Sequence, residues 1–491
     1  MINSISRLGL RICDVFRRTA PDPFVLAVLL TLLTAAIALL LGFPAAGSTP
    51  RPELAERAGK LLDSWGGIER LASGAAKESA TLGLWTLLGF AMQMCLVLVT
   101  GHALASSRPV RRVIDALAAL PRTCAQAAAM VAFAACTTAV INWGLGLIVG
   151  ALLAREVGRA MSRRGVPVHY PLLCAAGYTG LMVWHGGLSG SAPLSMTTRA
   201  GIEKVSPQLA AQLGENVMPL TETLFSTSNL IITLGLVVLV PAVCALLAPK
   251  APGEMAPFRE PVGDGRAEAS GTETQPAQSD SRPGVIPEWL ETSPLIVWFL
   301  AAAVFAVIWR YSAGAGLASL SLNHINGGML ALGLVFHGSA RSYVGAVDEA
   351  ARGCGGIVVQ FPLYAGIMAM MQASGLVRML ADSFVAMSTP TTLPLFTFVS
   401  GGIVNLFVPS GGGQWAVQGP IAMQSGMEAG VPLGKMVMSV AYGDQLTNML
   451  QPFWALPLLA ITGVKAREIV GYTALIMLAG AAWIALWLLV L

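Results

Sequence analysis

The sequence predicts an all-α polytopic membrane protein of about nine transmembrane helices, with two opposed re-entrant hairpins in an inverted repeat. Three observations predict it. Of 491 residues, 55% are hydrophobic and only 11% charged, whereas soluble domains carry about a quarter charged residues. So little charge does not cover a soluble surface, so most of the outside must face lipid. The second observation is a succession of apolar runs near the ~20 residues that cross a bilayer. The third is a pair of apolar runs too long for one crossing, each interrupted midway by glycine-rich sequence.

Residues 1–23 are read as a cytoplasmic segment. Ile5 to Arg18 carries Arg7, Arg11, Arg17 and Arg18 and suits an amphipathic helix on the membrane surface, ended by Pro21-Asp22-Pro23. A first membrane repeat follows over 24–248. Phe24–Phe43 goes from inside to outside, too long and too poor in a cleavage site for a signal peptide. Leu61, Leu62 and Trp65 suggest a short surface helix, and Leu82–Ala105 is the second span, with Arg108, Arg111 and Arg112 marking the cytoplasm.

Thr123 to Ala154 as one helix would reach ~48 Å against a ~30 Å hydrocarbon core. Both flanks are basic: Arg122 before it, Arg155, Arg159, Arg163 and Arg164 after it. A segment with both ends on one side does not cross, so 123–154 is read as a cytoplasmic-side hairpin whose tip is Asn142-Trp143-Gly144-Leu145-Gly146. Non-helical backbone at such depth is tolerated only where it is buried or lines a wet cavity. Tyr170–Pro193 goes out, broken at Trp184 to Ser191, and Asn229–Leu247 returns.

From Pro249 to Pro287 seven prolines and few large apolar residues mark a disordered cytoplasmic linker, 249–287. The second membrane repeat, 288–491, has spans at Pro294–Trp309, Ile325–Val335 and Gly355–Leu376. An outside-facing hairpin over 392–426 is interrupted from Val408 to Trp415. Met436–Ala460 is broken around Gly443 to Pro452, and Ile469–Leu491 is the last span, leaving the C-terminus outside.

The halves echo each other: from Asn142 to Tyr178 is 36 residues, and from Asn405 to Tyr442 is 37. One unit enters from inside and the other from outside. Inverted repeats with interrupted helices at matching positions point to a secondary transporter's binding site; glycine clusters placed only for helix packing do not explain four of them at matched spacing.

Half-helix N-termini present free N–H groups and a positive dipole end, which suits an anion. Ser410-Gly411-Gly412-Gly413-Gln414 offers bare amides from one side, and Asn142 to Gly146 offers the same from the other. No Lys or Arg stands at the tips or breaks, where a dicarboxylate or phosphate more often recruits arginine. A small monocarboxylate fits, with Trp143, Phe407, Trp415, Phe453 and Trp454 around its apolar tail. Candidate substrate-binding residues are Asn142, Trp143, Gly144, Gly146, His185, Ser189, Ser191, Pro409, Ser410, Gly411, Gly412, Gly413, Gln414, Gln445 and Gln451. Asp444 is the clearest intramembrane acid, and such a carboxylate is functional by default. With Asn142, Asn405 and Asn448 it forms the candidate ion-coupling set, holding Na+ near Asp444 or carrying a proton.

Other classes lack support. A net charge of +4 in short clusters argues against nucleic acid. Seven scattered cysteines without a CxxC pair give neither a disulfide framework nor a zinc site. No HExxH, GxSxG or P-loop appears, so neither an enzyme nor a cofactor is expected, apart from a coupling ion. A channel would need a ring of charge that is not there.

Leu98-Val99-Thr100-Gly101-His102-Ala103-Leu104-Ala105-Ser106-Ser107, Ile141-Asn142-Trp143-Gly144, Ser189-Gly190-Ser191, Val408-Pro409-Ser410-Gly411-Gly412-Gly413 and Gln451-Pro452-Phe453-Trp454-Ala455-Leu456-Pro457 together resemble the short-chain fatty acid transporter family of AtoE type. The likeness spans nearly the whole chain except the linker. It implies uptake of butyrate- or acetoacetate-like acids at the bacterial inner membrane. It also implies kinship with the ion-transporter superfamily of inverted-repeat carriers, and a homodimer with scaffold and transport domains. His185, Gln414 and Asp444 are read as departures from the family pattern, as is the long linker. Export, or carriage of another small organic anion, is the alternative.

Overall fold

The computed structural model describes residues 2–45, 50–70, 76–78, 83–205, 210–211, 217–259, 285–315 and 321–491. Helix α1 (Ile2–Thr19) leads through Asp22, whose carboxylate caps the Phe24 amide, into α2 (Pro23–Leu41). Helix α3 (Leu54–Gly66) precedes a minimal antiparallel pair, Ile68–Arg70 with Ala76–Glu78. Next come α4 (Leu88–Ser106) and α5 (Arg108–Ala118). Leu82, the expected start of the second span, lies outside the described residues.

The first hairpin is α6 (Cys124–Ile141) and α7 (Trp143–Arg163), hinged on the single extended residue Asn142. Small residues let the limbs touch. A side chain on Gly146 would run into Ala139, and one on Gly150 would meet Ala135 at 3.0 Å, so the limbs run antiparallel from the tip. Helix α8 (Tyr170–Tyr178) gives way to two 3-10 turns and extended glycines before α9 (Ser191–Ser195), which is the break expected from Trp184 to Ser191. Helices α10 (Arg199–Val205) and α11 (Thr227–Leu247) complete this half.

In the second half, α12 (Val285–Thr292), α13 (Pro294–Ala315), α14 (Leu322–His337), α15 (Ala340–Ala351), α16 (Gly355–Ala373) and α17 (Leu376–Ala386) precede the other hairpin. Its limbs are α18 (Leu393–Asn405) and α19 (Gly411–Ala429), joined through Leu406–Ser410. Helix α20 (Leu433–Thr447), a 3-10 turn at Asn448–Leu450, α21 (Pro452–Thr462) and α22 (Ala466–Val490) finish the chain. The second break is therefore narrower than expected: α20 runs intact through Gly443 and Asp444, and the helix opens only at Asn448–Gln451. Gly443 serves packing instead. Any Cβ there would fall on the Phe398 carbonyl of α18.

Among the described residues seven helices are long and apolar enough to cross a membrane, and the chain is a multi-pass membrane protein. The two broken segments, α8–α9 and α20–α21, and the 16-residue α14 fall outside that length criterion. One pole gathers α1, the end of α11 and the start of α22. There the Gly9 backbone lies against Leu247 and Tyr472, and Gly471 lies against Cys13. The first part of the expected linker is fixed at the same pole: the Ala256 amide donates to His169 Nδ1, and the Tyr170 amide donates to Ala256 O. Burial holds the His169 imidazole down at about 4, so the ring is neutral and its Nε2–H faces the Tyr472 hydroxyl. Residues 260–284 lie outside the described residues.

Candidate functional site

At the first tip Asn142 is an N-cap. Its Oδ1 accepts from the amides of Gly144 and Leu145 at 3.0 and 3.3 Å, and its backbone carbonyl accepts from Gly146. The remaining first-turn amide, Trp143 N–H, donates to Ser189 Oγ at 3.0 Å. The amide of Asn142 itself donates to Thr138 O, so all four donors that a helix start leaves open are consumed. The expectation of bare amides from Asn142 to Gly146 is corrected, because the cap side chain and Ser189 take the place an anion would have filled.

The second tip differs. Ser410 caps α19 through Gly413 alone, with Gln414 N–H returning to the Ser410 carbonyl. The amides of Gly411 and Gly412 meet no acceptor among the described residues. Gly412 is exposed, with nothing within 4 Å of where a side chain would sit. Gly411 presses on the first break: a Cβ there would lie 2.7 Å from Ser191 Oγ, 2.8 Å from Trp184 and 3.0 Å from His185 Cε1. Trp184 in turn packs on Trp143 of the first tip, ring centroids 6.4 Å apart. Both tips therefore converge on the same stretch, Trp184 to Ser191. Trp143 also stacks edge-on against Trp454 at 5.3 Å, with Phe453, Phe90 and Phe361 behind. Phe407 and Trp415, expected around the same tail, have no ring contact with this group among the described residues.

Against Gly411 of the second tip lies a buried ionisable pair. His185 Nδ1 and Asp444 Oδ2 are 2.6 Å apart, with side chains 1% and 2% exposed. The Ala192 amide donates to His185 Nε2 at 3.0 Å, and Ser191 Oγ lies 3.2 Å from the same nitrogen. An Nε2 that accepts leaves the ring proton on Nδ1, where it donates to Asp444. The imidazole is then neutral, and an ionised Asp444 keeps its full negative charge without a cationic partner, an expensive state for a buried group. Around it Asn405 Nδ2 donates to Asp444 O, Thr447 Oγ1 and Asn448 Oδ1, and Gln451 Nε2 donates to Asn405 O. The amide oxygens of Asn405, Gln414 and Gln451 are buried without a donor.

The structure thus brings together Asp444, Asn405, Asn448 and His185, and separately Ser189, Ser191, Trp143 and Ser410 to Gly413. Asn142 stands apart from the acid, its oxygen spent on α7. Gln445 acts as a cap, its Oε1 accepting from the amides of His185 and Gly186. Gln414 bonds within its own hairpin, to Gly401 O and Gln418. Gly144 and Gly146 are packing positions, and Pro409 is buried in the tip.

Sequence reasoning marked Tyr178 and Tyr442 for spacing alone. In the fold each reaches the other half. Tyr178 OH donates to the carbonyls of Asn448 and Gln451 in the second break, and Tyr442 OH donates to Asn229 Oδ1, whose Nδ2 holds Gly186 O in the first. Asn229, opening the apolar α11, was the missed signal: an amide one turn into such a helix needs partners.

The Short chain fatty acid transporter family model matches residues 4–491. A relative named for short-chain fatty acid transport in Escherichia coli (strain K12) is 38% identical over 473 residues, 96% of each chain. One of the same name in Haemophilus influenzae is 35% identical over 494 residues, 99% of this chain and 100% of that one. Among solved structures, the Alcanivorax borkumensis YdaH transporter covers 95% of this chain and 98% of its own at 15% identity and a TM-score of 0.39. Neisseria gonorrhoeae MtrF covers 97% of each at 17% identity and a TM-score of 0.37.

Proposed function

The chain belongs to the short-chain fatty acid transporter family, and from that premise we propose that it imports a short monocarboxylate of the butyrate or acetoacetate kind, coupled to Na+ or H+. The observation that supports the reading is the pair of acceptor-free amides at Gly411 and Gly412, on a tip whose Gly411 packs against Ser191 of the first break. A carboxylate there receives the positive end of α19 and two N–H donors. Ser410 and Ser191 flank it, and the Trp143–Trp454 cluster gives an alkyl tail of a few carbons an apolar wall. One negative charge needs no arginine, and the tips contain none.

Coupling follows from Asp444. The carried anion brings negative charge within reach of a buried carboxylate whose one close titratable neighbour among the described residues is a neutral imidazole. Two like charges at such a site disfavour each other, so substrate and a cation enter together: Na+ among Asp444, Asn448 and the spare oxygens of Asn405 and Gln451, or a proton on the His185–Asp444 pair. The basic pole holding α1 sits in the cytoplasm of the bacterial inner membrane by the positive-inside bias, and the carrier works as a homodimer. The membership makes it a transporter.

The test is uptake of labelled butyrate into proteoliposomes under an imposed Na+ or H+ gradient. Saturable uptake driven by one gradient is expected. Uptake that neither gradient drives would overturn the coupled-import reading, and conductance without counterflow exchange would indicate a channel.

A further inference from the structure

A second, chemically opposite cavity lies along the same helix, and it goes beyond the transport reading. About 400 Å³ in volume, it is bounded by the end of α4, by α5, by the far part of α7 and by α15. Its charged lining among the described residues is Arg111, Arg155, Arg159 and Arg163 against Glu156 and Glu349, four positive groups to two negative. Arg155 and Arg159 form the floor, 7% and 8% exposed, while Arg111 and Arg163 stand at an exposed rim. Arg159 bonds both oxygens of Glu156 at 3.0 Å, and His102 faces Glu349 at 3.7 Å. Two internal carboxylates leave an excess of two positive charges around an open volume. Guanidinium groups in such number match the oxygens of a phosphate.

The cavity is not part of the transport site. Arg155 is twelve residues beyond Trp143, about 18 Å along α7. Its wall helix, α5, points to the class of ligand. Arg164 straps that helix to α7 by donating to the carbonyls of Ala118, Ala119 and Pro121. Ile114 and Ala118 are buried against the body, whereas Val113, Leu117 and Leu120 form an exposed apolar stripe of 61%, 40% and 64%. Arg108 and Arg112 are exposed as well. A helix with one face on protein, one apolar face free and a basic face sits at the level of lipid headgroups. We propose that this cavity is a binding site for an anionic phospholipid: the phosphate between Arg111, Arg163 and the buried arginines, the acyl chains along Val113, Leu117 and Leu120. Basic pockets between membrane helices recognise lipid phosphates by the same chemistry.

The test uses the purified full-length protein in detergent, with its thermal unfolding midpoint followed on addition of dioleoyl phosphatidylglycerol, dioleoyl phosphatidylcholine, inorganic phosphate or butyrate. The glycerol lipid should raise the midpoint by about 3 °C more than the choline lipid. The double variant Arg111→Gln/Arg163→Gln, altered only at the exposed rim, should lose that difference and keep any butyrate effect. The proposal is overturned if both lipids act alike, if the difference survives in the variant, or if inorganic phosphate alone reproduces it. It is also overturned if the variant loses the butyrate effect, since the cavity would then serve the carried anion. Butyrate failing to stabilise either protein would contradict the transport site, while the lipid difference would still support this one.

Discussion

The two hairpins share a plan and differ at the tip. A constant numbering offset of 263 relates them: 142 to 405, 135 to 398 and 180 to 443. In each half a glycine of the following segment, Gly180 in the 3-10 turn after α8 or Gly443 in α20, tucks under a carbonyl of the first limb, Ala135 or Phe398. Beyond that register the halves diverge. The first turns on Asn142 and saturates its amides; the second runs five residues further to Ser410 and leaves Gly411 and Gly412 open. The position matching Asp444 is Leu181, buried in the first break. Two hairpins of similar packing thus differ in the chemistry they expose. The first hairpin closes its own tip, whereas the second leaves its donors open and packs on α20, the helix that carries the acid.

The largest effect that sharpens this contrast is expected at the acid. On the proposed coupling, Asp444→Asn removes the counter-charge of the cation, about 3 kcal/mol in a buried pair, or more than ~100-fold in cation affinity. Uptake should lose its dependence on the imposed gradient, while a Leu181→Met change at the matching position leaves that dependence intact.

Next is the donor asymmetry. Gly412→Pro deletes one open N–H in the first helical turn, where proline is tolerated. A charge-assisted hydrogen bond is worth about 1.5–3 kcal/mol, so KM for butyrate should rise roughly tenfold or more. Gly412→Ala keeps the amide and meets empty space, so KM should stay near wild type. An equal rise in both variants would argue that bulk, not the amide, matters.

The packing pair is smaller. Gly443→Ala drives a methyl onto the Phe398 carbonyl, whereas in Gly180→Ala the corresponding distance to Ala135 O is 2.8 Å. Overpacking costs run about 1–3 kcal/mol, and the unfolding midpoint should fall further for Gly443→Ala. Smallest is Asn142→Ala, which loses an N-cap worth ~1 kcal/mol. It should lower the midpoint with little change in KM; a large KM effect would move substrate contact to the first tip.

Much of this was legible in the chain. Over-long apolar runs with glycines at their centres marked both helix–turn–helix pairs, and proline with glycine marked the breaks. Asn142 was visible as a turn residue, yet its stronger habit, capping the following helix, was the property that decided the tip. The His185–Asp444 contact joins residues 259 apart and has no local signature. Each was conspicuous alone, as a polar group in apolar sequence, but their pairing is made by the fold, and the neutral tautomer is set by the turn that aims the Ala192 amide at His185 Nε2. Arg155 and Arg159 read as topology signals in sequence, because nothing there shows that α5 and α15 close a cavity over them.

The most direct measurement is a density map of the butyrate-loaded carrier in lipid nanodiscs. The account predicts a carboxylate in hydrogen-bond reach of the Gly411 and Gly412 amides, with its tail toward Trp143 and Trp454. Density at the Asn142 tip with the second tip empty would contradict it.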